Sequence, residues 1–130
     1  LRYCPSLKHT PSATYLPAML GLIEHDGKPE YIGIHRTYLP ADPKADILGS
    51  AEDKLTLGDV EGGALRLADP VLGLPLIIGE GVETVLSAMQ ITGLPGWSAL
   101  NAGNLPKLVL PEAINHILLC ADADSVGIQK

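Results

Sequence analysis

From residue 71 onward, the spacing of apolar residues leaves this chain few folds to choose from. Leu74 to Ile78 is a short, nearly continuous apolar run, the pattern of a strand covered on both faces. Behind it, Val82, Val85, Leu86 and Met89 recur at helical spacing and make one apolar stripe, and Gly93-Leu94-Pro95 stops that helix. "WSALNAG" reads as a second strand, "NLPKLVL" as a short helix with Asn104 as its cap, and "NHILLCA" as a third strand. The order β-α-β-α-β implies an α/β fold, a parallel sheet with right-handed crossovers. The chain stops where a third helix is due after Asp124, so the fold reads as truncated at its C-terminus. Its first residues, "LRYCPSLKHT", likewise read as an internal start of a longer protein.

The first half has another texture. Residues 17 to 38 predict a β-hairpin turning at Asp26-Gly27. In its second strand Ile32, Ile34, Arg36 and Tyr38 share one face, and Tyr31, His35 and Thr37 the other. His35 is expected partly exposed. A polar connection over 39–62, punctuated by Pro and Gly, has room for a turn of helix near 50–56, and residues 63–69 read as another strand. This divides the chain into an N-terminal β-rich lobe, 1–70, and an α/β domain, 71–130, with Trp97 in the core.

Hydrophobic residues make up 46% of the chain and charged residues 18%, which describes a folded globular protein rather than a disordered one. No apolar run approaches the roughly 20 residues of a membrane span. A net charge of −6 argues against a protein that holds nucleic acid by its overall field. Any such contact has to come from a local cluster, and Arg36, Lys54 and Arg66 are the candidates for contacts to phosphate. Each also reads as an ordinary surface residue. The two cysteines, Cys4 and Cys120, are too few for a zinc ribbon, and Cys120 within its apolar run reads as a buried thiol in a reducing cytoplasm.

The acids carry the chemistry. Open parallel sheets place ligands at the carboxyl ends of their strands. The sequence puts Glu80 at the end of the first strand, and Asp122 with Asp124 at the end of the third. In D-x-D, alternate residues of an extended segment point the same way, so both aspartates can reach one ion. Hard oxygen ligands of this kind suit Mg²⁺. The same residues also serve as helix caps, Asx turns or tight strand-to-helix turns, and Glu83 reads as a first-turn acid complementing the helix dipole.

At these residues the sequence resembles the Toprim family, the catalytic domain of bacterial-type primases, topoisomerases and some nucleases. The resemblance lies in Glu80 of "IIGEGVET" and in Asp122 and Asp124 of "LLCADADSVG". The wording "EGVETVLSAMQITGLPGWSALNAGNL" is most similar to the Toprim segment of phage- and plasmid-type primases of mobile elements. "GIHRTYL", "LG" at 48–49 and "GGALRL" resemble the region that precedes Toprim in those proteins. The resemblance implies a nucleotidyltransferase that makes RNA primers on single-stranded DNA from nucleoside triphosphates, with a helicase in cis or in trans. It further implies Glu80 as general acid or base, and Mg²⁺ or Mn²⁺ held by Asp122 and Asp124. Two alternatives stay open: a nuclease using the same acids, and a module that only binds nucleic acid or nucleotide.

Overall fold

The structure, a computed structural model, describes residues 1–39 and 54–120. Eight strands form one sheet: β1 Arg2–His9, β2 Thr14–Glu24, β3 Tyr31–Tyr38, β4 Lys54–Gly58, β5 Ala64–Arg66, β6 Leu76–Gly79, β7 Gly96–Ser98 and β8 Ile117–Cys120. Among the described residues one α-helix, α1, spans Val82–Thr92. The strand order is β4-β3-β2-β5-β7-β6-β8, with β1 paired to β2. β1 and β5 share one edge of β2, β1 along residues 14–20 and β5 at Ile23 and Glu24.

β6 lies between β7 and β8 and is parallel to both, as the apolar runs predict. Leu76, Ile77 and Ile78 are each 1% exposed, so this strand is covered on both faces. α1 follows its apolar stripe, with Val82 and Val85 buried. It stops at Gly93, whose φ of 74° suits glycine and whose N–H returns to Met89 O. The helix lies close on the sheet because the strands present glycines beneath it. A Cβ on Gly79 would stand 2.8 Å from Val85, and one on Gly96 2.7 Å from Val85 and 2.9 Å from Met89. Trp97, 1% exposed, lies in the core as expected, in a cluster with Ala64, Leu76 and Ile78 on the face away from α1.

Several expectations need correction. The second crossover has no α-helix: Leu105–Lys107 is a single 3-10 turn, and Leu105, Leu108, Leu110 and Ile114 pack on the Trp97 cluster. Pro106 and Pro111 each lack the N–H that a helix interior needs, and only four residues separate them. Of the turn of helix expected near 50–56, residues 50–53 lie outside the described residues, and Lys54 begins strand β4 instead. The N-terminal strands share a sheet with the parallel strands, because β5 pairs antiparallel with β7 (Leu65 with Ser98, Arg66 with Trp97) and carries the sheet across. β1 was not anticipated; its pairing with β2 is interrupted between Cys4 and Leu7, around Pro5.

The hairpin forms, but its turn runs from His25 to Glu30, with Lys28 N–H on His25 O and Gly27 N–H on His25 Nδ1. In β3 the deeper face is that of Gly33, His35 and Thr37; Ile32, Ile34 and Arg36 are only half-buried. His35, expected partly exposed, is 7% exposed. Cys120 is half-buried rather than buried. No helix among the described residues is long and apolar enough to cross a membrane.

Candidate functional site

β6 ends at Gly79 and α1 begins at Val82, so Glu80 and Gly81 make the whole turn between them. Gly81 is extended, with φ −88° and ψ 145°, and its carbonyl accepts the N–H of Val85. β7 ends beside this turn: Ser98 Oγ donates to Glu80 O at 2.7 Å, and Ala99 N–H to Gly79 O at 2.8 Å. Leu100 N–H then donates back to Ser98 Oγ at 3.1 Å. The Glu80 backbone is thus clamped from the neighbouring strand, and the residue itself is half-buried.

β8 reaches the same rim. Gly79 pairs with Ser98 on one side and Cys120 on the other, so all three parallel strands end level. Asp122 and Asp124 follow Cys120 in sequence and lie outside the described residues. Among the described residues no three His, Cys, Asp or Glu side chains are grouped to hold a metal. What is described of the rim offers one carboxylate, that of Glu80; the Ser98 hydroxyl is buried and engaged with Glu80 O and Leu100 N–H. Burial pushes the Cys120 thiol up, so the sulfur beside the rim stays neutral. A carboxylate oxygen is a donor for hard divalent ions rather than soft ones, and the described rim supplies one such group.

Helix α1 opens with a second feature. Glu83 Oε2 accepts a hydrogen bond from Lys54 Nζ at 3.0 Å, although Lys54 is on the far edge strand of the sheet. The sheet therefore curls until β4 meets the start of α1. Burial raises the Glu83 carboxyl, but its own backbone N–H, Lys54 and the nearby His35 outweigh that and hold it below the usual range. His35 stands next in the ladder, opposite Thr56, with Nδ1 3.5 Å from its hydroxyl. Beside it Thr37 keeps a buried hydroxyl with no partner. Sequence reasoning gave Glu83 only a dipole role and missed the pair with Lys54. The acid in the first turn was visible; its partner, 29 positions away, was not.

Lys54 does not gather with Arg36 and Arg66. In the β3–β4 ladder Lys54 faces Thr37 whereas Arg36 faces Leu55, so the two project from opposite faces. Arg66 lies over the Trp97 ring, 4.2 Å from its centroid, on the face away from α1.

Residues 75–130 match the family model described as Toprim domain, and residues 1–67 match the model described as Domain of unknown function (DUF7146). No curated protein and no solved structure matches the chain. Toprim domains bind divalent metal ions and occur in enzymes such as primases and nucleases. With more than half of its 130 residues in the first region and the rim described above in the second, the chain belongs to the DUF7146 family and carries a Toprim domain behind it.

Proposed function

We propose that this chain is the core of a primase-type nucleotidyltransferase from a phage- or plasmid-like mobile element. It makes RNA primers on a single-stranded DNA template from nucleoside triphosphates, within a larger replication protein that works with a helicase. Residues 71–130 supply the chemistry, and residues 1–70 flank them. Asp122 and Asp124 hold Mg²⁺ or Mn²⁺, and Glu80 takes or gives the proton of nucleotidyl transfer. A divalent ion at this rim would neutralise the triphosphate and the departing pyrophosphate.

The observation that carries the reading is the level ending of β6 and β8. Glu80 follows one strand directly, and only Ala121 separates Cys120 at the end of the other from Asp122. The clamp of Ser98 on Glu80 O adds to it, because an acid–base group must be held before it can transfer a proton at a fixed place. Lys54, paired with Glu83 in the first turn of α1, adds a cation at the start of the helix.

Two measurements test this. Carboxylates gathered without a cation repel, so Mn²⁺ should raise the melting temperature of the parent through mass action. An Asp122→Asn/Asp124→Asn variant should melt at or above the metal-free parent and ignore Mn²⁺. Equal responses in parent and variant would place the ion elsewhere. Incubation of the full chain with single-stranded DNA and ribonucleotides should extend primers, and Glu80→Gln should reduce that at least about a hundredfold. Shortened DNA in place of primers would replace the primase reading with a nuclease.

A further inference from the structure

The chain has only three arginines, Arg2, Arg36 and Arg66, and the sheet puts all of them on one face. Arg2 and Arg36 stand opposite Leu20 from its two sides, on β1 and β3, and Leu55 extends that row. Side chains of directly paired residues share a face. Arg66 belongs to the next row, with Leu22, Ile34 and Leu57; it lines one groove together with Arg2, Leu20, Leu22, Ile34 and one acid, Glu24. α1 covers the opposite face, over Gly79 and Gly96, and Lys8 and Lys54 project from that side.

Two of the guanidiniums, those of Arg36 and Arg66, are held in place but not neutralised. Arg66 lies on Trp97, and Arg36 Nη1 donates to Tyr38 OH at 3.3 Å. Arg36 Nε and Arg66 Nε are buried without a partner, and among the described residues none of the three arginines is in an ion pair. Between and beside them the surface is open and apolar: Leu22 is 48% exposed and Leu57 63%. A chain of net charge −6 has concentrated its guanidiniums on a face of exposed leucines.

Planar forks of N–H donors match phosphate oxygens, and arginine keeps that match where lysine offers only a point charge. Adjacent strands are about 4.8 Å apart, so Arg2 and Arg36, two strands apart, are separated by roughly 10 Å. Apolar side chains between such cations suit unpaired bases, which a duplex would hide. We propose that this arginine-and-leucine face binds single-stranded DNA, with phosphodiesters on Arg2, Arg36 and Arg66 and bases over Leu20, Leu22 and Leu57. Glu24 borders the arginine groove at its Arg66 end, and with Asp26 and Glu30 it lines the adjoining groove by the hairpin turn, where Arg66 also stands. The positive stripe ends there, so the strand runs from Arg66 across β1, β2 and β3 towards β4. Binding at this face needs neither a metal nor Glu80, and so goes beyond the reading of the rim.

Fluorescence anisotropy of a labelled oligo(dT) of about 20 nucleotides, long enough for one such site, tests it on the full chain in EDTA. With three phosphate contacts, log K should fall against log salt with a slope of about −2 between about 50 and 200 mM. Arg2→Ala, at an exposed position, should reduce that slope by about 0.7. Leu57→Glu should weaken binding about tenfold or more with an unchanged melting temperature, whereas Lys8→Ala on the opposite face should change nothing. Arg66 is left in place because removing it strips the stack from Trp97. The proposal falls if the parent does not bind, if Arg2→Ala and Leu57→Glu bind like the parent, or if Lys8→Ala weakens binding as much as they do. It falls equally if sedimentation shows that Leu57→Glu dissociates a dimer, because the face is then a contact between copies. Arginine-dependent binding without primer synthesis would sink the primase reading and keep this one; synthesis with arginine-independent binding would do the reverse.

Discussion

His35 is packed between β4 and the start of α1, and burial pushes its imidazole below the usual histidine range. Lys54 and Arg36 add to that effect, and Glu83 opposes it. The native ring is therefore neutral while the unfolded chain still titrates near 6.5. As the pH falls below that value the unfolded state takes up the proton first, so the contribution of a neutral His35 is full above about 6.5 and is lost on acidification. Urea midpoints from pH 7.5 down to 5.5 should fall more steeply in the parent than in His35→Gln, whose amide fills similar space without titrating. Parallel curves would show that His35 is not the group responsible.

At the scale of elements, Asn104 ties together segments that no ladder joins. Its Oδ1 accepts from Gly62 N–H at 2.8 Å, and its Nδ2 donates to Gly63 O at 2.9 Å and Ala99 O at 3.0 Å. The side chain is 4% exposed and does not cap the 3-10 turn that follows it. It fastens the loop entering β5 to the loop leaving β7, and so holds the neighbour of the Glu80 turn. Asn104→Ala leaves three buried backbone groups without partners, at a cost of about 2–4 kcal/mol after partial relaxation. Asn104→Asp should be no better, because a carboxylate would face two carbonyl oxygens. Urea denaturation reads both, and an Asp variant as stable as the parent would refute the hydrogen-bond assignment.

Across the whole molecule, β5 is the joint. Leu65 pairs with Ile23 on one side and Ser98 on the other, is 2% exposed, and so touches the hairpin strands and the parallel strands alike. Two halves sharing a sheet through buried residues should unfold together. Fluorescence of Trp97, the single tryptophan, and far-UV circular dichroism should therefore give one coincident transition. Leu65→Ala should lower its midpoint by the equivalent of about 2–5 kcal/mol without splitting it. Two separated transitions in the parent would mean that the joint does not couple the halves.

What could be read from the sequence was whatever short-range chemistry decides. The 3.6-residue stripe of Val82, Val85 and Met89 determined α1, and the left-handed freedom of Gly93 its end. The apolar run before Glu80 determined a buried strand ending in that acid, and alternation with Asp26-Gly27 determined the hairpin. Asn104 misled because asparagine both caps helices and satisfies loops, and only the nearness of Gly62 and Ala99 chooses between them. The pairing of Lys54 with Glu83, the joining of β5 to β7 and the gathering of Arg2, Arg36 and Arg66 were decided by the tertiary structure. Parity along a strand, which a sequence displays, says which residues share a face. Which strand stands beside which is decided by how the whole chain buries its apolar surface, and that depends on every element at once.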